Sequence, residues 1–176
     1  MIDSQTIRYE IIETNLGSML LAATDAGVCR LSFEETRADL QTHFPKAELV
    51  EGGGDFGKLR DRVAEAVELG GPVDDIPLDT NGTAFQERVW AALRAIPAGE
   101  TRSYRDIAEA LGNSKATRAV GGANGANAIA VLIPCHRVIA ADGSQGGYAY
   151  GSQIKRDLLQ RERDTVARGR KNQGAA

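Results

Sequence analysis

Hydrophobic and polar positions follow a period of two in the first part of the chain. Apolar and polar residues alternate in Ile7–Ile11 and again in Val28–Phe33, and a continuous apolar run, Met19–Ala23, lies between them. A period of two predicts β-strands, and a short unbroken run predicts a strand that is more deeply buried. Asp25-Ala26-Gly27, between the last two strands, predicts a hairpin turn. In this pattern Cys29 is a core residue of the third strand.

After these strands the apolar positions recur at helical spacing. Thr36–Phe44 predicts a short helix, and a second helix is predicted from apolar residues three or four positions apart: Phe56, Leu59, Val63 and Val67. Gly70-Gly71-Pro72 ends this helix. Residues 71–82 then carry turn-forming and acidic residues, which we interpret as a linker. The pattern therefore predicts a first domain over residues 1–78 and a second domain from residue 79.

The second half begins with three predicted helices. Thr83-Ala84-Phe85-Gln86 is a capping box, in which the threonine side chain caps the first turn and the glutamine reaches back. A second helix is predicted from Ser103 to Gly112, and a third from Ser114 to about Asn124. Two short helices joined by a glycine-containing turn have helix-turn-helix geometry.

The third helix is rich in small residues, for which two interpretations stay open. Its only charged residues are Lys115 and Arg118. Small residues let a helix backbone approach a narrow groove closely, which favours docking in the minor groove of DNA with Arg118 projecting from the helix. Small residues equally favour close packing of one helix against another.

The segment Ile133-Pro134-Cys135-His136-Arg137-Val138 combines a thiol, an imidazole and a guanidinium between apolar residues. A cysteine close to positive charge loses its proton more easily, and the thiolate is the nucleophile. Pro134 fixes one backbone dihedral and removes a hydrogen-bond donor, so the thiol is expected on a stiff, irregular turn. Taken alone, the segment is better explained by a buried structural cysteine, because free cysteine is among the most buried residue types.

Composition and charge narrow the class of protein. With 176 residues, 42% hydrophobic and 26% charged, the chain is typical of soluble globular proteins. Residues 1–78 carry a net charge of −8 and residues 79–176 carry +5, which suggests that only the second half meets a polyanion. No apolar run approaches the length of a membrane span, and the N-terminus does not resemble a signal peptide. Two cysteines and two histidines without close spacing indicate no zinc site and a reduced, cytosolic setting.

Several motifs of the second half occur together in the order of one known family. Over about residues 80–162 they are Thr83-Ala84-Phe85-Gln86, Val89-Trp90, Ile96-Pro97-Ala98-Gly99, Ser103-Tyr104, Arg118-Ala119-Val120-Gly121, Ala123-Asn124, Asn127, Ile133 to Val138, Gly147-Tyr148, Lys155 and Leu158-Leu159. Through these motifs the chain resembles the O6-alkylguanine-DNA alkyltransferase family. The first half is similar to that family's N-terminal domain more weakly, through Gly17, Gly27-Val28 and the helices that follow. Within the family, the chain looks most like the alkyltransferase half of the bacterial adaptive-response protein.

The resemblance implies two domains and a tail. Residues 1–78 would form an α/β domain, a small ribonuclease H-like sheet with flanking helices. Residues 79–165 would form a mostly α, winged-helix-like domain that binds DNA through a helix-turn-helix and carries the catalytic residues. Residues 166–176 would form a flexible tail.

The resemblance also implies direct DNA repair. A guanine alkylated at O6 would flip out of double-stranded DNA bound through its minor groove, since its reactive atom cannot be reached inside the stack. Its methyl or larger alkyl group would pass irreversibly to Cys135, once per molecule; activity on O4-alkylthymine and the range of alkyl sizes stay open. No cofactor, metal or membrane contact is implied. The protein would act as a monomer in the cytoplasm, associated with the nucleoid when bound to DNA.

Five positions match the catalytic residues of that family. Cys135 would be the nucleophile, and His136 would be the base that acts on the thiol through a bridging water. Glu162 would orient and stabilise the histidine. Asn127 would hold the turn and its hydrogen-bond network, and Tyr104 would donate a proton or a hydrogen bond to the leaving guanine.

Further positions match contacts with the flipped base and the DNA. The carbonyls of Cys135 and Val138 would read the exocyclic amine of the guanine. Tyr148 would pack against the base, and the amide of Ala149 would contact the alkylated oxygen. Arg118 would fill the gap that the flipped base leaves. The other positions expected to bind DNA are Ser103, Lys115, Ala116, Thr117, Gly121 and Asn124.

Departures from the family pattern concern the pocket. Ala128 replaces a proline, Ser144-Gln145 replaces a more apolar pair, and Tyr150 replaces a glycine, which leaves the pocket width open. Cys29 and His43 do not reproduce the zinc ligands of some members, so no metal is expected. Three other functions fit these residues less well. A winged-helix repressor would have no role for Cys135, and the family's non-catalytic lesion sensors lack this cysteine. A cysteine hydrolase would need an oxyanion hole, for which no motif is present.

Overall fold

The computed structural model describes residues 5–174, which form two compact units. The first unit runs to Asn81 and includes a later segment, Ala128–Leu132. The second unit consists of Gly82–Asn127 and the residues from Ile133 onward. The chain thus leaves the first unit after Asn81, passes back through it once, and returns to the second unit just before the Cys-His-Arg segment.

The first unit is built on a four-stranded sheet with two helices. Its strands are β1 Thr6–Thr14, β2 Gly17–Thr24, β3 Gly27–Phe33 and β4 Glu48–Glu51, and its helices are α1 Arg37–His43 and α2 Phe56–Leu69. The order in the sheet is β3-β2-β1-β4. β1, β2 and β3 pair antiparallel, whereas β4 runs parallel to β1. The three predicted strands and two predicted helices are confirmed; β4, four residues with an acid at each end, was not predicted.

Apolar residues of the strands and of α1 form one core cluster, which includes Ile7, Tyr9, Leu20 and Leu40. Cys29 belongs to this cluster and is 4% exposed. Burial raises the pKa of its thiol to about 12, so it is a poor nucleophile at neutral pH. The prediction that Cys29 is a core residue is confirmed.

The segment Ala128–Leu132 covers the edge of β3. The amide of Leu31 donates to the carbonyl of Ala128 at 3.0 Å, and the amide of Ala130 donates to the carbonyl of Leu31 at 2.8 Å. Ile129 therefore lies opposite Leu31 in a parallel bridge. The sequence predicted a single boundary after residue 78 and missed this return, because the pairing joins residues that are far apart along the chain.

The chain reverses at Val131, directly after this bridge. Val131 has a φ of 69°, a left-handed conformation that is a genuine outlier for a β-branched residue. The amide of Leu132 donates to the carbonyl of Ala130 at 2.8 Å, which closes a γ-turn of the rarer, strained kind. The segment Ala128–Leu132 is therefore a short bridge followed by a tight turn.

The described part of the second unit contains four helices and a two-stranded parallel ladder. The helices are α3 Ala84–Arg94, α4 Tyr104–Ala110, α5 Thr117–Gly125 and α6 Ser152–Gln173; the strands are β5 Arg102–Ser103 and β6 Val138–Ile139. Thr83 and Ser103 form the capping boxes that begin α3 and α4. α3, α4 and α5 pack against one another.

Two helix boundaries differ from the prediction. The third helix of the second half was expected from Ser114, but Ser114–Ala116 form a 3₁₀ turn and the α-helix begins at Thr117. Residues 166–176 were expected to be a flexible tail, but α6 continues to Gln173. This stretch lacks proline and places basic residues in the last turn, which favours a helical C-terminus.

The final two residues of the expected tail lie outside the described residues. No helix in the described part of the chain is both long and apolar enough to cross a membrane.

Trp90 connects the first and third helices of the second unit. It is 7% exposed, and its indole Nε1–H donates to the carbonyl of Ala123 in α5 at 2.9 Å. Gly82, just before α3, lies against the indole ring: a Cβ at this position would be 2.4 Å from the ring. The close approach therefore requires glycine.

We expect Gly82→Ala to lower the free energy of unfolding by about 1–3 kcal/mol, because the added methyl group overpacks the site against Trp90. Urea unfolding followed by the fluorescence of Trp90, the single tryptophan, measures the change. Gly122→Ala is the matched control, since a Cβ there meets nothing within 4 Å and alanine is the better helix former. Equal stability of the two variants would contradict the prediction.

Candidate active site

Cys135 lies at the junction of two tight turns. Before it, Pro134 has φ −80° and ψ 63°, and the amide of Cys135 donates to the carbonyl of Ile133 at 2.8 Å, which forms an inverse γ-turn. After it, Cys135–Arg137 form a 3₁₀ turn in which the amide of Arg137 donates to the carbonyl of Pro134 at 3.0 Å. Cys135 is 6% exposed. The predicted irregular turn is confirmed, and hydrogen bonds constrain it on both sides of the thiol.

Two asparagines at the end of α5 hold this turn. The side-chain amide of Asn127 donates to the carbonyl of Ile133 at 2.9 Å and to Sγ of Cys135 at 3.1 Å. Asn124 approaches the carbonyl of Cys135 at 3.5 Å. A hydrogen bond donated to sulfur favours the thiolate over the thiol. Asn127 therefore favours the thiolate form of Cys135.

Asn124 was expected to bind DNA, but it is 7% exposed. It follows Val120 by one helical turn and so lies on the buried face of α5. Its side chain lies beneath the Cys135 turn, and DNA binding by Asn124 stays a prediction.

His136 and Glu162 form a buried pair. The imidazole Nε2 is 2.7 Å from Oε1 of Glu162, and the His136 side chain is fully buried. The pair joins the 3₁₀ turn to the middle of α6. The sequence matched these residues over a separation of 26 positions, and the structure brings them together.

Arg137 binds the same carboxylate from the same turn. Its Nη2 donates to Oε1 of Glu162 at 2.8 Å and its Nε donates to Oε2 at 3.0 Å, while Nη1 donates to the carbonyl of Ile96 at 2.7 Å. Burial alone would raise the pKa of Glu162. The hydrogen bonds from His136 and Arg137 outweigh burial and lower that pKa to about 2. Glu162 is therefore ionised throughout the physiological range.

The state of His136 follows from its partner. Burial lowers the pKa of the imidazole more than Glu162 raises it, so the ring is neutral at rest. An ionised carboxylate can only accept hydrogen bonds, so Nε2 carries the hydrogen and Nδ1 carries the lone pair. Nδ1 is buried and has no hydrogen-bond partner among the described residues. The ring thus offers one unused basic nitrogen.

The thiol of Cys135 is protonated at rest. Burial raises its pKa, and the hydrogen bond from Asn127, the backbone amides and the positive charge of Lys155 only partly offset that rise. A buried thiol of this kind needs a base before it can act as a nucleophile.

Lys155 is a fully buried cation beside this site. Its ammonium donates to the carbonyl of Val138 at 2.6 Å, to that of Gly147 at 3.3 Å and, by a short hydrogen bond, to that of Gln145. Lys155 lies two helical turns before Glu162, so α6 presents both charges on one face. It thereby fixes β6 and the loop before α6 in place.

Two tyrosines border the thiol. Burial raises the pKa of Tyr104, and the nearby Cys135 contributes to the rise. Burial also raises the pKa of Tyr148, with Cys135 again contributing, and the buried Tyr148 hydroxyl has no partner among the described residues. The Tyr148 ring meets Tyr150 edge to face, with centroids 5.5 Å apart. Both hydroxyls therefore remain protonated donors at neutral pH.

The loop before α6 contacts Tyr104 at Gly146. That glycine has a φ of 64°, and a Cβ there would be 3.5 Å from the tyrosine hydroxyl and ring edge. Ala149, three residues later, is exposed. The structure thus brings Tyr104 and this loop together near the thiol.

The remaining predicted residues lie at or near the surface of α4 and α5. Ser103 caps α4 through its hydroxyl, and a Cβ at Gly121 would lie 3.9 Å from the Tyr104 ring. The exposed positions are Lys115, Thr117 and Arg118, and Ala116 is half-buried.

Two further glycines of α5 face open space. A Cβ at Gly122 or at Gly125 would meet no atom within 4 Å among the described residues. Close helix packing therefore does not account for these two small residues.

Comparison with known proteins places the chain in a family. The family model of the 6-O-methylguanine DNA methyltransferase DNA-binding domain matches residues 84–164. A methylated-DNA–protein-cysteine methyltransferase of Methanosarcina acetivorans is 42% identical over 155 residues, which are 88% of this chain and 97% of that protein. The chain belongs to the methylated-DNA–protein-cysteine methyltransferase family. The resemblance inferred from the sequence is confirmed.

Other members of this family agree in sequence and fold. The bifunctional transcriptional activator/DNA repair enzyme Ada of Escherichia coli is 39% identical over 94% of this chain, and the chain spans about half the length of that protein and of its Salmonella typhimurium counterpart. The crystal structure of Mycobacterium tuberculosis OGT in complex with DNA superposes with a TM-score of 0.77 at 39% identity, over 90% of this chain and 94% of that chain. The mixed α/β fold is shared.

Two residues of this site were not assigned a role from the sequence. Arg137 was noted only as a charge beside the thiol, and Lys155 only as a position in a motif. The position of Lys155, on the apolar stripe of α6 with Leu158 and Leu159, was the available signal. Among the described residues, no group of three or more His, Cys, Asp or Glu side chains could hold a metal ion.

We expect Lys155→Met to lower the free energy of unfolding by about 3 kcal/mol or more, because it leaves three carbonyls without their donor at about 1–3 kcal/mol each. Urea unfolding measures the loss. Lys171→Met is the matched control, since that lysine is exposed near the end of the same helix. A Lys155 variant as stable as the control would show that the ammonium does not anchor the loop.

Proposed function

We propose that the chain repairs DNA directly: Cys135 accepts the alkyl group of an O6-alkylguanine in double-stranded DNA and keeps it, so that each molecule acts once. The observation that carries the proposal is the buried Cys135 thiol, bound by Asn127 and followed in the same turn by the His136–Glu162 pair. Relatives named methylated-DNA–protein-cysteine methyltransferases support it. The reaction uses no cofactor.

The transfer forms a sulfur–carbon bond and breaks the carbon–oxygen bond at guanine O6. The thiol proton passes to Nδ1 of His136, and the carboxylate of Glu162 stabilises the imidazolium that forms. The electron pair of the broken bond stays on the guanine, and the proton that His136 took from the thiol passes through water to the guanine. The imidazole thus returns to its neutral form and charge is conserved overall. The product is a thioether, which water does not hydrolyse, so the thiol is not regenerated.

A bridging water carries the proton from Cys135 to His136. Nδ1 has no hydrogen-bond partner among the described residues, and Nε2 is engaged by Glu162. Neighbouring residues of one turn point in different directions, so one water between sulfur and Nδ1 is the simplest connection.

Tyr104 assists the leaving guanine. Because burial raises the pKa of its hydroxyl, Tyr104 stays protonated and can donate to a ring nitrogen of the base as negative charge develops there. The stabilisation is strongest in the transition state, which is where it accelerates the transfer.

The flipped base is held by backbone groups and Tyr148. The carbonyls of Cys135 and Val138 accept hydrogen bonds from the exocyclic amine, and the amide of Ala149 donates to the alkylated oxygen. The Val138 carbonyl already accepts from Lys155, but a carbonyl oxygen has two lone pairs and can accept a second donor. Tyr148 packs against the ring and, with Tyr150, limits the size of the alkyl group.

The helix-turn-helix of α4 and α5 docks in the minor groove. Arg118 is exposed, and Gly122 and Gly125 present bare backbone that can approach the groove closely. Arg118 fills the gap left by the flipped base. The DNA contacts nearby are made by Ser103, Lys115, Ala116, Thr117 and Gly121.

Residues 79–165 form the catalytic, winged-helix-like domain and residues 1–78 a ribonuclease H-like structural domain. The strand order β3-β2-β1-β4, with β4 parallel to β1, supports the latter assignment. The protein acts as a monomer in the reducing cytoplasm, where both cysteines stay free.

Incubation with duplex DNA that contains O6-methylguanine should add one methyl group to the Cys135 peptide. Intact and peptide mass spectra are expected to show a methyl-sized increase that saturates at about one per protein, because the thioether is not turned over. Cys135→Ser is the control and should stay unmodified. Repeated turnover, or tight binding of the damaged DNA without an adduct, would refute the proposal.

Arg118→Ala should slow repair of duplex DNA by about tenfold or more, equivalent to about 1.4 kcal/mol of activation free energy, because the gap in the stack is no longer filled. Single-turnover rates on duplex DNA and on free O6-methylguanine base are compared. The free base needs no extrusion, so its rate should not change. Lys58→Ala removes an exposed cation of the first unit and serves as the control. Equal slowing on both substrates would show that Arg118 does not act by filling the gap left by the flipped base.

A further inference from the structure

Arg137 takes no part in the proposed transfer, yet each of its three guanidinium nitrogens donates a hydrogen bond. It reaches both oxygens of Glu162 and the carbonyl of Ile96 at 2.7–3.0 Å. Its side chain is 15% exposed. Two neighbouring residues of one 3₁₀ turn, His136 and Arg137, thus converge on a single carboxylate.

We infer that Arg137 is a positioning residue for the alkyl transfer: it holds Glu162 as a hydrogen-bond acceptor only and thereby fixes His136 in the tautomer whose Nδ1 can take the thiol proton. The inference rests on the proposed function for the role of that proton. The arrangement of the ring, the carboxylate and the guanidinium is a property of the protein without DNA.

The contacts of Arg137 with Glu162 determine which ring nitrogen of His136 carries the hydrogen. A guanidinium is always charged and has no acceptor, so each of its contacts with Glu162 uses a lone pair of an ionised carboxylate. Bidentate contacts of this kind are among the strongest hydrogen bonds in proteins. With both oxygens held in this way, the only hydrogen available between Glu162 and His136 is the one on Nε2.

Without the guanidinium, a second arrangement becomes accessible. Burial favours the protonated form of Glu162. A protonated Glu162 can donate to Nε2, which moves the ring hydrogen to Nδ1. That tautomer cannot accept the thiol proton, although every heavy atom stays in place.

The charge of Arg137 also acts on the imidazole directly. The charged groups that face His136 are Glu162 and Lys155 from α6 and Arg137 from its own turn, and the thiol of Cys135 is the neighbouring titratable group. Arg137 and Lys155 lower the pKa of the ring, whereas Glu162 raises it. Removal of the Arg137 charge therefore raises the pKa of His136. Only the neutral ring is a base, so the transfer rate falls at low pH, where the ring is protonated. This acidic limb of the pH–rate profile therefore moves to higher pH.

Two substitutions separate these effects from simple support of the fold. Arg137→Gln removes the charge but keeps a hydrogen-bond donor of similar reach. Arg137→Lys keeps the charge, which holds Glu162 ionised, but loses the bidentate contact with the carboxylate. We expect Arg137→Lys to preserve the tautomer and the position of the acidic limb, and Arg137→Gln to change both. On the acidic side, the rate of Arg137→Gln should fall about tenfold for every pH unit by which the limb moves.

Nitrogen-15 NMR of the imidazole rings reads the tautomer without any DNA. The chain has two histidines, and His43 of the first unit provides the reference signals. The unmodified protein should show a hydrogen on Nε2 and a bare Nδ1 for His136. Arg137→Gln should show hydrogen on Nδ1, or a ring that becomes charged at a higher pH. Unchanged ring signals and an unchanged acidic limb would overturn the inference, as would identical behaviour of Arg137→Gln and Arg137→Lys.

A double-variant cycle tests whether Arg137 acts through Glu162. Glu162→Gln alone should disturb the tautomer and slow the transfer. Adding Arg137→Gln to it should change the tautomer no further, and this pair leaves no unpaired charge in the site. An additional change of the tautomer in the double variant would contradict the mechanism. If Cys135 of the unmodified protein takes no methyl group, the proposed function fails, while the NMR comparison still decides the role of Arg137.

Discussion

The carboxylate of Glu162 organises the second unit around the reactive turn. It accepts hydrogen bonds from His136 and Arg137, and Arg137 carries the connection on to the carbonyl of Ile96. A buried carboxylate is tolerated only when it is paired, so α6, the 3₁₀ turn and the loop after α3 have to assemble together. The same contacts hold the pKa of Glu162 at about 2, which keeps it ionised. The neighbouring imidazole therefore donates through Nε2 and can accept a proton only at Nδ1.

Burial sets the protonation of the thiol and of the imidazole at rest. Burial raises the pKa of Cys135 and lowers that of His136, so thiol and ring are both neutral. The hydrogen bond from Asn127 and the charge of Lys155 favour the thiolate, but they only partly offset the effect of burial on the pKa of Cys135. A free cysteine at the surface would react with many electrophiles, whereas a buried, protonated thiol reacts with a group that is delivered to it.

Helix α5 links the surroundings of the thiol to the surface that we propose to bind DNA. Its buried face carries Val120 and Asn124, and Asn127 follows just after its end. Its exposed face carries Arg118 and Gly122, whose surroundings are open. One short stretch of chain therefore provides both the proposed docking surface and the donor that binds sulfur. The small residues, which the sequence could assign either to packing or to a groove, are open on this face because no other described element covers them.

The sequence by itself determined the local features of this protein. The alternation in β1 and β3, the capping box at Thr83 and the stiff turn at Pro134 each depend on residues within a few positions of one another, and each is present. The motif resemblance added the pairing of His136 with Glu162. The tertiary structure alone decided the return of residues 128–132 to β3, the burial of Lys155 and the bidentate contact of Arg137 with Glu162. These depend on which distant backbone carbonyls and carboxylates come within hydrogen-bond reach, and no periodicity along the chain encodes that distance.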